Sequence, residues 1–442
     1  MAHATGHAVD LGAKNIELPA PALGMRNIGL GLAVVGFGGG AVIGYTGAFG
    51  TDPAHFWRAY LVAFLFGLTM CLGGLFFVFV QHLTRAGWSV AVRRPAEALA
   101  ANLRWYWILF LPFVVLWFVG FGDMGRANMV WMWADMETLK ANNPEEAYVV
   151  AKKLAFLNPT FFWIRAAVYF ATWALLAHFF VGNSRAQDST GDIRHTERMQ
   201  KWAGPAAILF GLTTTFAAFD WIMSLSPAWF STMFGVYFFC GCATAGFSAM
   251  ILVTLRLRAL GLLEGIVTAE HMQDLGKLLF AFGMVFWAYI AFSQYMLIWY
   301  ANIPEETGWF LARQVGGWGP MSLALLFGHF VIPFVALISK WPKRFAISLG
   351  AAAVWMLAFH LVDLYWLVMP EIPHDLATFE SYRQASDRYA DTATHFGNPV
   401  NFLLAIGALG AVAAGTIAAL SRSALVPKRD PRLGESLRFE NM

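Results

Sequence analysis

Ten stretches of the chain, near residues 28–49, 57–81, 104–122, 160–182, 203–225, 230–255, 275–300, 317–339, 345–368 and 399–421, are apolar over the length needed to cross a bilayer. A helix rising 1.5 Å per residue needs about twenty residues for that crossing. Inside hydrocarbon the backbone must satisfy its own hydrogen bonds, which leaves helices and closed barrels as the available structures. Period-two alternation is absent, so a β-barrel is not expected. Composition agrees: 58% of the 442 residues are hydrophobic and only 13% are charged, outside the range of soluble domains. The expected fold is an all-α integral membrane protein of about ten transmembrane helices. It divides into an N-terminal segment (1–27), the membrane domain (28–421) and a tail (422–442) that reads as polar and irregular, suited to a membrane-surface or partner contact.

Lys and Arg counts in alternate loops set the expected orientation, because basic residues stay on the cytoplasmic side. One side holds 21 of the 30 basic residues, including Arg85, Arg93, Arg94 and Arg104 of the 82–104 loop and Lys340–Arg344; the other holds 9. Both termini are therefore expected in the cytoplasm, with loops 123–159 and 369–398 outside. The N-terminal segment carries Asp10, Lys14, Glu17 and Arg26 and has no short apolar core before a small-residue cleavage site, so no removable signal peptide is expected. Cys71, Cys240 and Cys242 all fall within spans, where packing is the expected role. A net charge of +3 gives no reason to invoke a nucleic-acid partner.

Against this apolar background, Asp220, His329, His360 and Asp363 stand out, since an intramembrane ionisable group costs roughly 3 kcal/mol or more. Spans five, seven and nine run in the same direction and carry Asp220, Gln294, and His360 with Asp363. Each of these lies roughly 7–12 Å below the outer helix end. His360 and Asp363 are three residues apart, on one helical face, where they could share a proton or jointly hold a polar head. A proton-handling or quinone-head site is thus expected from Asp220, His360 and Asp363, with Gln294 and His329 on a quinone or proton path. The alternative is that these groups, like His178 and Thr213–Thr215, join helices by hydrogen bonds. Asp123 and Arg126 can pair across one helical turn.

A weak repeat accompanies them. Leu175-Leu176-Ala177-His178-Phe179 in span four parallels Leu325-Leu326-Phe327-Gly328-His329-Phe330 in span eight. Phe216 precedes Asp220 by four residues as Phe359 precedes Asp363. Two parallel four-helix units, 57–225 and 230–368, flanked by spans one and ten, would account for this.

Quinol oxidation suits such a cluster, because a quinol carries two hydroxyl protons on an apolar tail and needs bases in a lipid-accessible pocket. The chain offers no Cys cluster for iron–sulfur ligation and no CxxCH for haem attachment. His329 and His360 are remote candidates for intramembrane haem ligands, differing in depth by about 6 Å. Redox centres are therefore expected in partner subunits, and no metal in this chain.

Two long strings carry a resemblance. Phe219-Asp220-Trp221-Ile222-Met223-Ser224-Leu225, continued by Trp229-Phe230-Ser231-Thr232-Met233-Phe234-Gly235-Val236-Tyr237-Phe238-Phe239, resembles the ActF-type, NrfD-like membrane subunit of bacterial alternative complex III. So does Phe286-Trp287-Ala288-Tyr289-Ile290-Ala291-Phe292-Ser293-Gln294-Tyr295, continued through Trp299-Tyr300 to Asn302-Ile303-Pro304-Glu305-Glu306-Thr307. The resemblance implies a subunit of a quinol:electron-acceptor oxidoreductase in the bacterial inner membrane, using menaquinol or ubiquinol. Its implied partners are an iron–sulfur protein, a multihaem cytochrome c with haem c, a larger NrfD-like subunit (ActC) and a terminal oxidase. In that family the larger subunit is the better candidate for quinol oxidation, and the ActF type is proposed to conduct protons. Where the family turn often has an acid and a His, this chain reads Ser226-Pro227-Ala228-Trp229, which weakens a proton exit there.

Two rivals predict different features. A proton-coupled secondary transporter would break spans at matching points of two repeats, whereas Gly316-Gly317 and Pro333 interrupt span eight alone. A structural scaffold would tolerate replacement of its buried acids.

Overall fold

The computed structural model describes residues 10–120, 126–371, 379 and 381–441. Among the described residues there are helices and no strand. Among the described residues nine helices are long and apolar enough to cross a membrane: α1 (Gly24–Thr46), α2 (Pro53–Leu83), α4 (Pro159–Thr190), α5 (Arg194–Leu225), α6 (Phe234–Ala259), α7 (Ala269–Ala301), α8 (Trp318–Leu337), α9 (Ala346–Val368) and α10 (Pro399–Leu420). A tenth, α3, is a pair of limbs, Gly87–Arg104 and Tyr106–Phe118, bent by 51°. The protein is an all-α, multi-pass integral membrane protein. Asp123, and with it the expected pairing to Arg126, lies outside the described residues.

Local chemistry starts three of the long helices in the same way. Asp52, Asn158 and Asn398 each accept a backbone N–H of the first turn, and each precedes a proline. The side-chain oxygen satisfies an orphan donor while proline presets the first helical φ and has no N–H to lose.

The neighbour pattern is the same in two stretches of chain. α2 packs on α3 and α5, with α4 against α3 and α5; α6 packs on α7 and α9, with α8 against α7 and α9. The two groups meet through α2 on α6, α5 on α6 and α2 on α9, while α1 and α10 pair outside them against α2. The α2–α6 contact is a backbone contact. A Cβ at Gly73 would lie 2.0 Å from the Cys242 carbonyl oxygen, and one at Gly246 would lie 2.5 Å from the Cα of Gly73. Only glycine permits that approach.

The first and last described segments lie at one end of the bundle: Leu425 N–H donates to Ile16 O at 2.7 Å, and Leu263 N–H donates to Asn15 O at 3.0 Å. Two expectations change here. The tail is irregular apart from the short helix Leu433–Leu437, but it is packed, not free: Leu425, Val426 and Leu433 are buried and that helix lies against residues 87–91. There Ser436 Oγ accepts Ala91 N–H at 3.0 Å and donates to Trp88 O at 2.5 Å. Nor is 82–104 a loop, since Gly87–Arg104 is helical and buried through most of its length. Charge neutralisation is the reason. Glu97 accepts Arg93 Nε at 3.2 Å, Arg94 at 2.8 Å and Ser184 Oγ at 2.7 Å. One further donor of each arginine reaches an acid, Asp430 from Arg93 and Asp188 from Arg94, both at 2.5 Å. A helix whose fully buried ions, here Arg93, Arg94 and Glu97, are paired can be buried although its composition is polar.

Candidate functional site

Asp363, 1% exposed, is held on α9 between two other spans. It accepts a hydrogen bond from the Tyr237 hydroxyl of α6 at 2.5 Å and one from Trp287 Nε1 of α7 at 3.1 Å. No salt bridge reaches it among the described residues. On the face of the Trp287 ring lies His329 of α8, with ring centroids 4.1 Å apart and planes 14° apart. His329 and Asp363 thus flank one indole, one on its face and one at its N–H.

Two π-helical turns make this possible, Leu279–Val285 in α7 and Leu326–Val331 in α8. A π turn inserts a residue and displaces carbonyls from their usual partners, and such turns are frequent at functional sites. Gly283 O accepts Thr244 Oγ1 at 2.7 Å and sits 3.3 Å from His329 Nε2. The other imidazole nitrogen, Nδ1, is buried without a hydrogen-bond partner.

Beside this cluster is a cavity of about 980 Å³ between α7 and α8. Tyr237 and Trp287, the two donors to Asp363, are part of its lining. Its walls include Ala288, Ala291, Phe292, Leu323, Leu326 and Phe330. Of these, Phe292, Leu323 and Leu326 are exposed, so this apolar side of the cavity reaches the outer surface of the bundle, while Gln314, Tyr382 and Ser386 line it from the connecting segments. Gln294 and Arg313 supply polarity. Gln294 Oε1 accepts Ser231 Oγ at 3.0 Å. Arg313, 1% exposed, donates to the carbonyls of Trp309, Trp366 and Leu367 at 2.9, 3.1 and 3.0 Å and lies 3.4 Å from the Trp309 ring centroid. Among the described residues it has no carboxylate partner, and the three carbonyls take one N–H from each of its three nitrogens, out of five N–H donors.

The expected single cluster separates into parts. His360 shares a helix face with Asp363 but bonds elsewhere: its Nε2 is 2.9 Å from Thr69 Oγ1 of α2, its ring packs on Phe66, and its Nδ1 is unpartnered. The structure therefore gives the two residues different hydrogen-bond sets and no shared proton. Asp220 stands apart as well. It receives Arg165 bidentately, Nε at 2.7 Å and the terminal nitrogen at 2.6 Å, and the Tyr169 hydroxyl at 2.6 Å. With its charge compensated and its side chain 0% exposed, Asp220 fastens α5 to α4. His178 is exposed on the surface of α4, unlike fully buried His329, so the matched strings around them occupy different environments.

Sequence reasoning missed Arg165, Arg313 and Tyr237. A lone arginine inside the apolar start of span four was a usable signal for the first. Arg313 sits in a connecting segment, and Tyr237 reads as an ordinary aromatic, so neither announces itself.

Fold and site together define a multi-pass helical membrane protein with a buried acid that no cation pairs among the described residues, behind an apolar-walled cavity that reaches the bundle surface. No protein-family model matches the chain, and no curated protein matches it either.

Proposed function

We propose that the chain is the membrane subunit of a quinol-oxidising respiratory complex of the alternative complex III type, and that its cavity receives a quinone or quinol head. The observation that carries this reading is the juxtaposition of an apolar-walled cavity that reaches the bundle surface with Tyr237 and Trp287, behind which lies Asp363. A quinol is an apolar tail bearing two acidic hydroxyls, and this cavity offers an apolar entry with a relay at its polar end. A hydroxyl of the head bonds Tyr237, whose own proton passes to Asp363 as the quinol is deprotonated. Arg313 and Gln294 orient the head oxygens. The two electrons leave to a redox centre in a partner subunit, for which the strings around Asp220 and Gln294 suggest the iron–sulfur and multihaem cytochrome c proteins of that family. The same reading puts the chain in a bacterial cytoplasmic membrane with both termini inside, and makes Asp363, rather than Asp220, the proton-handling acid.

The test is turnover of the purified complex with Tyr237→Phe and Asp363→Asn, each keeping shape while removing one proton-exchanging group. Loss of roughly 10²-fold in quinol-dependent reduction, with the complex still assembled, is expected. Wild-type turnover in both variants would refute the relay. A proton-coupled transporter is the second reading. It is favoured by the 51° break in α3 and the π turn in α7, which hold equivalent places in the neighbour pattern. Substrate-driven proton uptake by liposomes lacking quinol would select it.

A further inference from the structure

Three arginines converge where α3 breaks, at the end of the bundle that holds the first and last described segments. Arg104 ends the first limb of α3 and donates from Nε to Ala101 O at 3.1 Å. Arg185 of α4 donates to Ala419 O in the last turn of α10 at 2.7 Å, and its Nε is buried without a partner. Arg422 follows α10, is exposed, and its guanidinium makes no hydrogen bond or ion pair among the described residues. Arg185 is within electrostatic range of both other guanidinium groups, and Arg104 is within range of Arg422. Three like charges so placed repel one another and destabilise the empty site.

The nearby acids are already used. Glu97 is in range of Arg185, but its two oxygens serve Arg93, Arg94 and Ser184. Asp188 and Asp430 accept from Arg94 and Arg93. Asp188 keeps one oxygen, Oδ1, without a hydrogen bond, but among the described residues no carboxylate pairs with Arg104, Arg185 or Arg422, and the surroundings indicate which anion would suit them. The α3 break touches α10 at Gly415, where an added Cβ would meet the Trp105 ring at 2.9 Å, about 8 Å before the end of α10. Long guanidinium side chains from that depth reach the headgroup layer. Trp107 and Ile108, 43% and 47% exposed, continue from Arg104 along the outer surface, where acyl chains can lie.

We propose that Arg104, Arg185 and Arg422 bind the phosphate of an anionic phospholipid whose chains lie along the second limb of α3. Phosphate oxygens take the donors that backbone carbonyls leave free, and bidentate guanidinium contact suits them. The site is remote in sequence from the α7–α8 cavity and does not depend on the quinol reading.

The experiment is phospholipid quantitation and native mass spectrometry on the full chain, purified in mild detergent with whatever subunits accompany it. Phosphatidylglycerol or cardiolipin is added back, with phosphatidylcholine as the zwitterionic control. Wild type is expected to retain the anionic lipid selectively. Arg422→Gln, which removes no internal bond, should weaken retention roughly fivefold, and Arg104→Gln with Arg185→Gln roughly 25-fold. Equal retention by wild type and Arg422→Gln, in samples of equal thermal stability, would overturn the proposal. Displacement by inorganic phosphate as effective as by lipid would assign the site to free phosphate instead. Crosslinking of a partner's acidic segment to Arg422→Cys in native membranes, with no lipid retained by the wild type, would assign it to protein and overturn it equally.

Discussion

Two buried aspartates of one bundle have opposite surroundings, and on the reading proposed above their hydrogen-bond partners suit them to different tasks. Asp220 is matched by a guanidinium; Asp363 meets only a phenol and an indole. Removing one member of a buried ion pair leaves the other uncompensated, at about 3–5 kcal/mol. Arg165→Gln is therefore expected to reduce the amount of folded chain and lower its apparent melting temperature in detergent, while Arg165→Met combined with Asp220→Leu recovers much of both. Asp363→Asn should behave in reverse, with near-normal melting and impaired quinol-dependent turnover. Equal stability effects at both aspartates would show that this division is mistaken. Asp220, His329, His360 and Asp363 were legible in the sequence because an ionisable side chain in an apolar run is conspicuous. Their partners were not, because hydropathy reads each residue singly whereas a site is a set of distances.

The same limit explains which elements could be read. Apolar stretches mark helices that face lipid or a core, so nine membrane-length helices appear close to their expected places. Gly87–Arg104 escaped because Arg93, Arg94 and Glu97 look like a solvated loop until their partners Asp188 and Asp430 are brought to them from α4 and the tail. That pairing makes the tail part of the membrane domain's packing. Asp430→Asn should lower the melting temperature more than Glu435→Gln, whose partner Arg432 is an exposed neighbour three residues away. A scan of both variants in one detergent checks the order; equal shifts would mean that the Arg93–Asp430 contact adds nothing beyond a surface pair.

For the whole molecule, the distribution of basic residues predicts a direction of insertion, and the structure adds that the first and last described segments share one end of the bundle. Thr138 and Ser381 are exposed and belong to connections at the other end. Cysteines placed at these two positions should react with an impermeant reagent in intact spheroplasts, and one at Gly434 should react only after permeabilisation. The converse pattern would invert the protein in its membrane. Nine spans and their order were within reach of hydropathy alone, and the third was legible only in its second limb, Tyr106–Phe118. The arrangement of the helices around α2 and α6 was not, since helix packing depends on which small residues face one another.

The crossing of α2 and α6 constrains how such a molecule can work. At Gly73 and Gly246 the two backbones touch, with no side chain between them to act as a bearing. Tilting one group of helices against the other would prise this seam open and leave a void that neither lipid tails nor neighbouring side chains fill without further rearrangement. A machine hinged there would be poorly built, whereas a frame joined there is well built. Motion is then left to parts that can shift within a fixed frame: the hydroxyl of Tyr237, the imidazole of His329 and the ligand proposed for the α7–α8 cavity.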